Sequence, residues 1–211
     1  MTVVVALLLR VVFRVVDAVV LAPRPVLWRA WWTGWRALPS PYATGARATA
    51  ADVAADVDDD DLVYGEAFVT VAAALLRAHG AHAGSVVVDL GCGRGAALVG
   101  ARALGAAARG VDVCRSHVDT TGPALRAAGV DVAVGDARTT GLEGATHVWL
   151  AWATWSVATR AAVTARLHAL PSGAVVVAVV HAVDDDAFAI VARRRAPFSW
   201  GVADVVVQRR R

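Results

Sequence analysis

The chain has no lysine and no asparagine, a single isoleucine, and only two glutamates, Glu66 and Glu143. All 21 of its basic residues are therefore arginine. With so much alanine, valine, glycine and aspartate beside them, these gaps reflect a GC-rich coding bias and carry no functional meaning. Cysteine is scarce as well. Cys92 and Cys114 are the only two, in no metal-type spacing, which excludes a disulfide framework, points to a reducing compartment and predicts no metal centre. Long uncharged apolar runs are missing too. Residues 3–21 are almost wholly apolar, but Arg10, Arg14 and Asp17 interrupt them. The longest uncharged run there, residues 2–9, falls far short of the ~20 residues a bilayer span needs. The same arginines, and the lack of a small-residue cleavage site, argue against a secretory signal.

What remains is 211 residues, 57% of them hydrophobic, with a mean hydropathy of +0.54. That is enough for one good core and short for two. The net charge of +3 is unevenly spread: residues 1–50 hold six arginines against Asp17, or +5, and residues 51–211 come to −2. The expected division is a basic leader, 1–50, and a body, 51–211. Nucleic acid is disfavoured as a partner, because outside the arginines at 193–195 and 209–211 the body has no basic stripe.

On a helix, Arg10, Arg14 and Asp17 fall on one stripe. Burying that stripe in a bilayer centre would cost roughly 2.5–3.5 kcal/mol per charge. After a proline turn, Trp28, Trp31, Trp32 and Trp35 recur at i, i+3, i+4 and i+7 with arginines among them. A helix of tryptophan and arginine suits the headgroup level of a membrane. Residues 1–40 are thus expected to lie on a membrane surface or to pack on the body or a partner protein, with a linker at 39–44. The expected location is the cytoplasm, with membrane association on the cytoplasmic face.

The aspartates at 58–61 read as a solvated loop or helix start. Tyr64, Gly65 and Glu66 precede an apolar helix expected at 69–78. Glu66 can fold over a ligand or serve as a helix-start carboxylate; the sequence leaves both open.

From residue 85 strand and helix patterns alternate. Strands are expected at 86–90, 108–113, 131–134, 146–151 and 174–181, with helices at 96–104, 116–128 and 157–170. That order predicts an α/β, Rossmann-like, mostly parallel sheet with helices on both faces. Two further strands, 188–192 and 202–208, have no helix between them and read as an antiparallel pair.

The organising stretch is Val86 to Gly95, a buried strand running into the turn Gly91-Cys92-Gly93-Arg94-Gly95. Such a turn brings backbone close to a small ligand. Gly91, Gly93 and Ala96 satisfy a loose dinucleotide pattern, but Asp89 sets a carboxylate where a pyrophosphate would put negative charge. A ligand with a cationic amino group suits it better. Asp112, at the end of the next strand, is placed for ribose hydroxyls, and Asp136, after the third, for an adenine amino group. Helix capping or turn chemistry is the competing role for both.

Together, Asp89-Leu90-Gly91-Cys92-Gly93-Arg94-Gly95, Gly110-Val111-Asp112 and Gly135-Asp136 resemble the class I S-adenosylmethionine-dependent methyltransferases over about residues 62–208. The resemblance implies a seven-strand sheet with its last strand inserted antiparallel. It implies S-adenosylmethionine as cofactor, held by Tyr64, Glu66, Asp89, Gly91, Cys92, Gly93, Gly95, Asp112, Asp136 and Ala137. Val63-Tyr64-Gly65-Glu66 is similar to the corresponding loop of the Dot1-type lysine methyltransferases. Residues 145–150 and 170–173 resemble the small archaeal and mitochondrial-membrane lysine methyltransferases, whose mitochondrial members carry a short hydrophobic N-terminal segment. Protein lysine methylation, with a protein substrate, is what this implies. A small-molecule methyltransferase and a non-catalytic membrane-tethered module on the same fold are the alternatives. The polar Asn-Pro-Pro-Tyr type of motif is replaced by Leu150-Ala151-Trp152-Ala153, which disfavours methylation of nucleic-acid bases. No catalytic base is assigned. His181 reads first as a structural histidine, with a substrate-facing role as the alternative; His147 reads as structural, and Trp152 is a candidate wall of the substrate channel.

Overall fold

The computed structural model describes residues 3–37, 53, 59–62 and 65–211. The described residues form one seven-stranded sheet, ordered β3-β2-β1-β4-β5-β7-β6. Its strands are β1 (Val86–Leu90), β2 (Ala107–Asp112), β3 (Val130–Val134), β4 (His147–Leu150), β5 (Val175–Val179), β6 (Phe188–Phe198) and β7 (Gly201–Arg210). The first five pair in parallel, and β7 inserts antiparallel between β5 and β6. The helices are α1 (Val3–Leu21), α2 (Pro25–Ala37), α3 (Val69–Ala78), α4 (Ala96–Ala103), α5 (Arg115–Ala127) and α6 (Val157–Leu167), with a short 3-10 turn at Asp59–Leu62.

The valine-rich central strands are buried on both faces, as parallel strands under helices must be. Alternate side chains separate two cores. Val87, Trp149, Val175 and Val177 pack with residues of α3, α4 and α5. Val88, Leu90, Val148 and Val176 pack with Val163 and Leu167 of α6.

Most strand ends shift by a residue or two from expectation, and two departures have a clear cause. β5 stops at Val179 because Val180 has φ 73°, and the chain leaves the sheet there. β6 runs on to Phe198, through three arginines and Pro197. It is the sheet's edge strand, and an edge accepts charge and proline that an interior strand would not.

The leader helix α1 packs against the body with its polar stripe inward. Asp17 is 1% exposed and accepts hydrogen bonds from the Val69 and Thr70 amides that open α3. Arg10 Nε donates to the Ser199 carbonyl at 2.6 Å, Phe13 stacks on Phe68 at 4.8 Å, and Leu21 is fully buried. The apolar side of α1 faces out: Leu8 is 61% exposed and Val19 66%. On α2, Ala30 and Gly34 are buried, and a Cβ on Gly34 would meet Arg94 and Thr121 within 3.5 Å. The four indoles of α2 contact one another, Trp28 stacking on Trp32 at 5.2 Å. Trp31 and Trp35 line a small cavity with Arg14, Asp17 and Glu66. No described helix is long and apolar enough to cross a membrane. The expected linker at 39–44 lies outside the described residues.

Candidate functional site

At the carboxyl ends of β1, β2 and β3 the chain leaves a cleft open to solvent. Loops that follow parallel strands on one side of a sheet build such clefts in α/β folds. The glycine turn forms its floor. The Gly91 and Cys92 amides both donate to the Val111 carbonyl at 2.9 Å, which ties the turn to β2. Gly91 has φ 77°, and a Cβ there would lie 2.8 Å from the Trp155 ring. Glycine is thus required twice over, by conformation and by the indole above it.

Of the expected site residues, Glu66, Asp89, Gly91, Cys92, Gly93, Asp112, Asp136 and Ala137 line this one cleft. Gly95 does not; with φ 80° it caps the start of α4. Tyr64 lies outside the described residues.

The carboxylates differ in how they are held. Asp112 is fixed by backbone: its Oδ2 accepts from Gly93 N at 2.7 Å and its Oδ1 from Cys114 N at 2.8 Å. Asp136 is engaged by Arg138, whose Nε reaches both oxygens and whose amide donates to Oδ1. A bidentate ion pair of this kind holds Asp136 below the usual carboxylate range despite partial burial. Asp89 is the exception. It is 3% exposed, and its Oδ1 is buried with no hydrogen-bond partner. Burial, with the negative Asp112 adding to it, pushes its pKa well above the ordinary value.

Glu66 meets the cleft from the other side. It lies 3.3 Å from Arg94 Nε and 3.7 Å from Arg14 of α1. Its amide donates to Ser199 Oγ, and its carbonyl accepts from Ser199 N. Arg94 is thus turned away from the cleft lining and buried. Cys92 is buried, and burial followed by Asp112 and Asp89 pushes its thiol well up, so it is inert as a nucleophile.

Several lining residues were not singled out from sequence. Asp61, from the acidic run, accepts from Ser156 N at 2.6 Å and from the Thr159 hydroxyl, bracing the Ser156 cap of α6 and closing one side. Trp155 covers Gly91. Arg138, Cys114 and His117 also line it. Presented atoms of Asp112, Cys114 and His117 lie within 4.8 Å of one another. Burial opposes the charged form of His117, but the Asp112 and Cys114 side chains outweigh it and raise its pKa to about 9. Sequence offered a signal only for His117: in the helix after β2, it sits five residues from Asp112.

One candidate fails, and both histidines take structural places. Trp152 does not wall the cleft: it is 1% exposed in the core, and its Nε1 donates to the His181 carbonyl. Its neighbour Trp155, three residues on, takes that place. His181 does not line the cleft either; its ring contacts the Ala153 carbonyl at 3.2 Å. His147 opens β4, at the end of the strand opposite the cleft, and bonds Thr146 and the His79 carbonyl.

No protein-family model matches the sequence, and no curated protein matches it. Solved structures do. A 1,6-didemethyltoxoflavin-N1-methyltransferase from Burkholderia thailandensis, with bound 1,6-didemethyltoxoflavin and S-adenosylhomocysteine, superposes with a TM-score of 0.59 at 18% identity, over 82% of this chain and 91% of that one. The magnesium protoporphyrin IX methyltransferase of Synechocystis PCC 6803, with bound S-adenosylmethionine, gives 0.58 at 15% identity, over 68% and 78%. An RNA methyltransferase from Salinibacter ruber, in complex with S-adenosylhomocysteine, gives 0.53 at 21% identity, over 66% and 89%.

The chain has the class I methyltransferase fold. Identities this low carry the fold and leave the acceptor open.

Proposed function

We propose that the chain is an S-adenosylmethionine-dependent methyltransferase whose acceptor is an amine. The observation that carries the reading is Asp89: a buried carboxylate on the cleft wall with one oxygen unpartnered. An uncompensated buried carboxylate is costly unless a cation arrives. The ammonium of the methionine end supplies one, and a pyrophosphate would worsen the deficit. That difference sets a dinucleotide aside.

Bound here, S-adenosylmethionine supplies an electrophilic methyl group on a sulfonium. The chain's own contribution is alignment and field. Asp89 would receive the ammonium. Asp112, held by the Gly93 and Cys114 amides, would accept from ribose hydroxyls. Asp136 would accept from an adenine amino group only by sharing its oxygens with Arg138, with Ala137 beside it in the lining. No group in the cleft is needed as a strong base, since an amine loses its proton to water before transfer.

The cleft's balance of charge supports an amine acceptor. Asp61, Glu66, Asp89, Asp112 and Asp136 line it, against Arg138 and a His117 ring whose pKa is raised to about 9. That field attracts cationic ligands and repels phosphate-rich ones. Resemblance of 63–66, 145–150 and 170–173 to lysine methyltransferases makes a protein lysine the first choice. A small-molecule amine is the second reading, supported by the lack of any substrate-recognition insertion in the sequence.

The test is transfer of labelled methyl from S-adenosylmethionine by the full chain to a protein extract, a panel of small amines and total RNA. Label on protein lysine is expected. Label on a small amine alone moves the assignment to the second reading. Label on RNA alone, or donor binding with no transfer to any acceptor, overturns the amine methyltransferase.

A further inference from the structure

Helix α1 is built inside out for a helix on a soluble domain. Ala6, Arg10, Phe13, Arg14, Asp17 and Leu21 follow one helical stripe, and this stripe, which holds all three charges of the helix, meets the body. The opposite face carries four successive pairs at four-residue spacing, from Leu7–Leu8 to Val19–Val20. Each side chain in them is at least 38% exposed. At 1.5 Å per residue the face is about 20 Å long. Isolated exposed aliphatics are ordinary, but a contiguous face of this kind marks an interaction surface.

We infer that this face lies in the plane of an anionic lipid bilayer, with the body held on its far side. The charges decide for lipid. Asp17 is the only acidic residue in positions 1–50, and it is buried against α3. The exposed charges of the described leader beyond α1 are therefore cationic: Arg24, Arg29 and Arg36. Arg24 sits at the border of the apolar face, its Nη1 donating to the Val20 carbonyl at 3.2 Å. An aliphatic stripe with Arg24 at its border, on a leader whose other exposed charges are also cationic, matches acyl chains beneath anionic headgroups. The stripe itself is all leucine and valine. It offers no side-chain hydrogen bond and no aromatic anchor of the kind protein interfaces use. The tryptophans are not the contact: they stack on one another against the body, and Trp35 is 39% exposed beneath Arg14.

The inward side of the same helix holds Arg14 against Glu66, which lines the cleft. A lipid surface on α1 therefore lies about one helix diameter, ~10 Å, from a cleft-lining residue. The inference is independent of methyl transfer, since it rests on exposure and charge alone.

The test is flotation of the full chain with phosphatidylcholine vesicles, with and without phosphatidylglycerol, for the wild type, the double variant Val11→Glu/Val15→Glu and Arg24→Glu. Both variants alter exposed side chains and are expected to keep the wild-type melting temperature and circular dichroism. The wild type is expected to float with the anionic vesicles and at least tenfold less with neutral ones. The double variant stays at the bottom in both, and Arg24→Glu floats less. Failure of the wild type to float overturns the inference, as does unchanged flotation of the double variant. A stable dimer that does not float and that Val11→Glu/Val15→Glu dissolves also overturns it, by assigning the face to a second copy.

Discussion

Asp17 and Thr70, 53 residues apart in sequence, share a single carboxylate oxygen: Oδ1 of Asp17 accepts from the Thr70 amide at 2.8 Å and from its hydroxyl at 2.6 Å. The other oxygen takes the Val69 amide at 3.0 Å. The leader thereby supplies the N-terminal cap of α3, where Phe68, the residue at the cap position, has no side-chain acceptor. A cap from a distant element does the work of a local serine or aspartate.

Replacing Asp17 with alanine strands these donors at a buried helix end. The expected loss is about 1–2 kcal/mol of folding stability, read as a lower urea midpoint with an unchanged slope. Asp17→Asn keeps an acceptor and is expected to lose less than half as much.

Gly91→Ala puts a side chain on a left-handed residue and drives it into the Trp155 ring, 2.8 Å away. Strain of about 1 kcal/mol is expected from the backbone alone. The larger effect falls on the cleft, because the new methyl displaces the indole that covers the turn. The variant is expected to fold with a reduced melting temperature and to bind S-adenosylhomocysteine at least tenfold more weakly by calorimetry.

His117 gives stability a pH dependence. Its pKa is raised from 6.5 to about 9 in the folded chain. The charged ring is therefore favoured by folding, and its contribution is complete below 6.5 and lost as pH rises through about 9. At 1.36 kcal/mol per pKa unit the full contribution is about 3 kcal/mol. Denaturation at pH 6 and pH 9 is expected to show a smaller stability loss across that window in His117→Gln than in the wild type. Asp89, also raised by burial, contributes equally to both and cancels in the comparison.

Much of the fold was legible because the sequence states it twice, in period and in punctuation. β1 occupies 86–90 as expected, since four apolar residues and Asp89 run straight into glycine. The antiparallel pairing of the last two strands followed from the lack of a helix between them, and the insertion of the last strand was what the methyltransferase resemblance implied. Boundaries failed where tertiary context overrode local pattern. Nothing in the composition of Val180 announces a positive φ, which a β-branched residue rarely adopts. The arginines at 193–195 read as a break until their place on an edge strand is known. In the leader, periodicity located the polar stripe of Arg10, Arg14 and Asp17 but left open which face meets the body. That depended on donors and acceptors at Ser199, Glu66 and Thr70, all far away in sequence. In the site, residues on the glycine turn and strand ends were visible. Asp61, Trp155 and Arg138 were not, because each enters the cleft through a loop whose path no local pattern encodes.

The central claim is that the cleft is made for a cationic, adenosine-bearing methyl donor, with Asp89 as its counter-charge. Calorimetric titration of S-adenosylmethionine into the full chain and into Asp89→Asn, repeated across pH and in buffers of different ionisation enthalpy, tests it most directly. Free Asp89 has its pKa raised well above normal, and an arriving ammonium favours its charged form. Binding should therefore release a proton, and affinity should rise with pH through the range in which free Asp89 ionises. Asp89→Asn removes a charge-assisted bond of about 1.5–3 kcal/mol, so it should bind about 10- to 100-fold more weakly and without that proton release. An absence of binding by the folded wild type, or equal affinity and equal proton release in Asp89→Asn, would contradict the account.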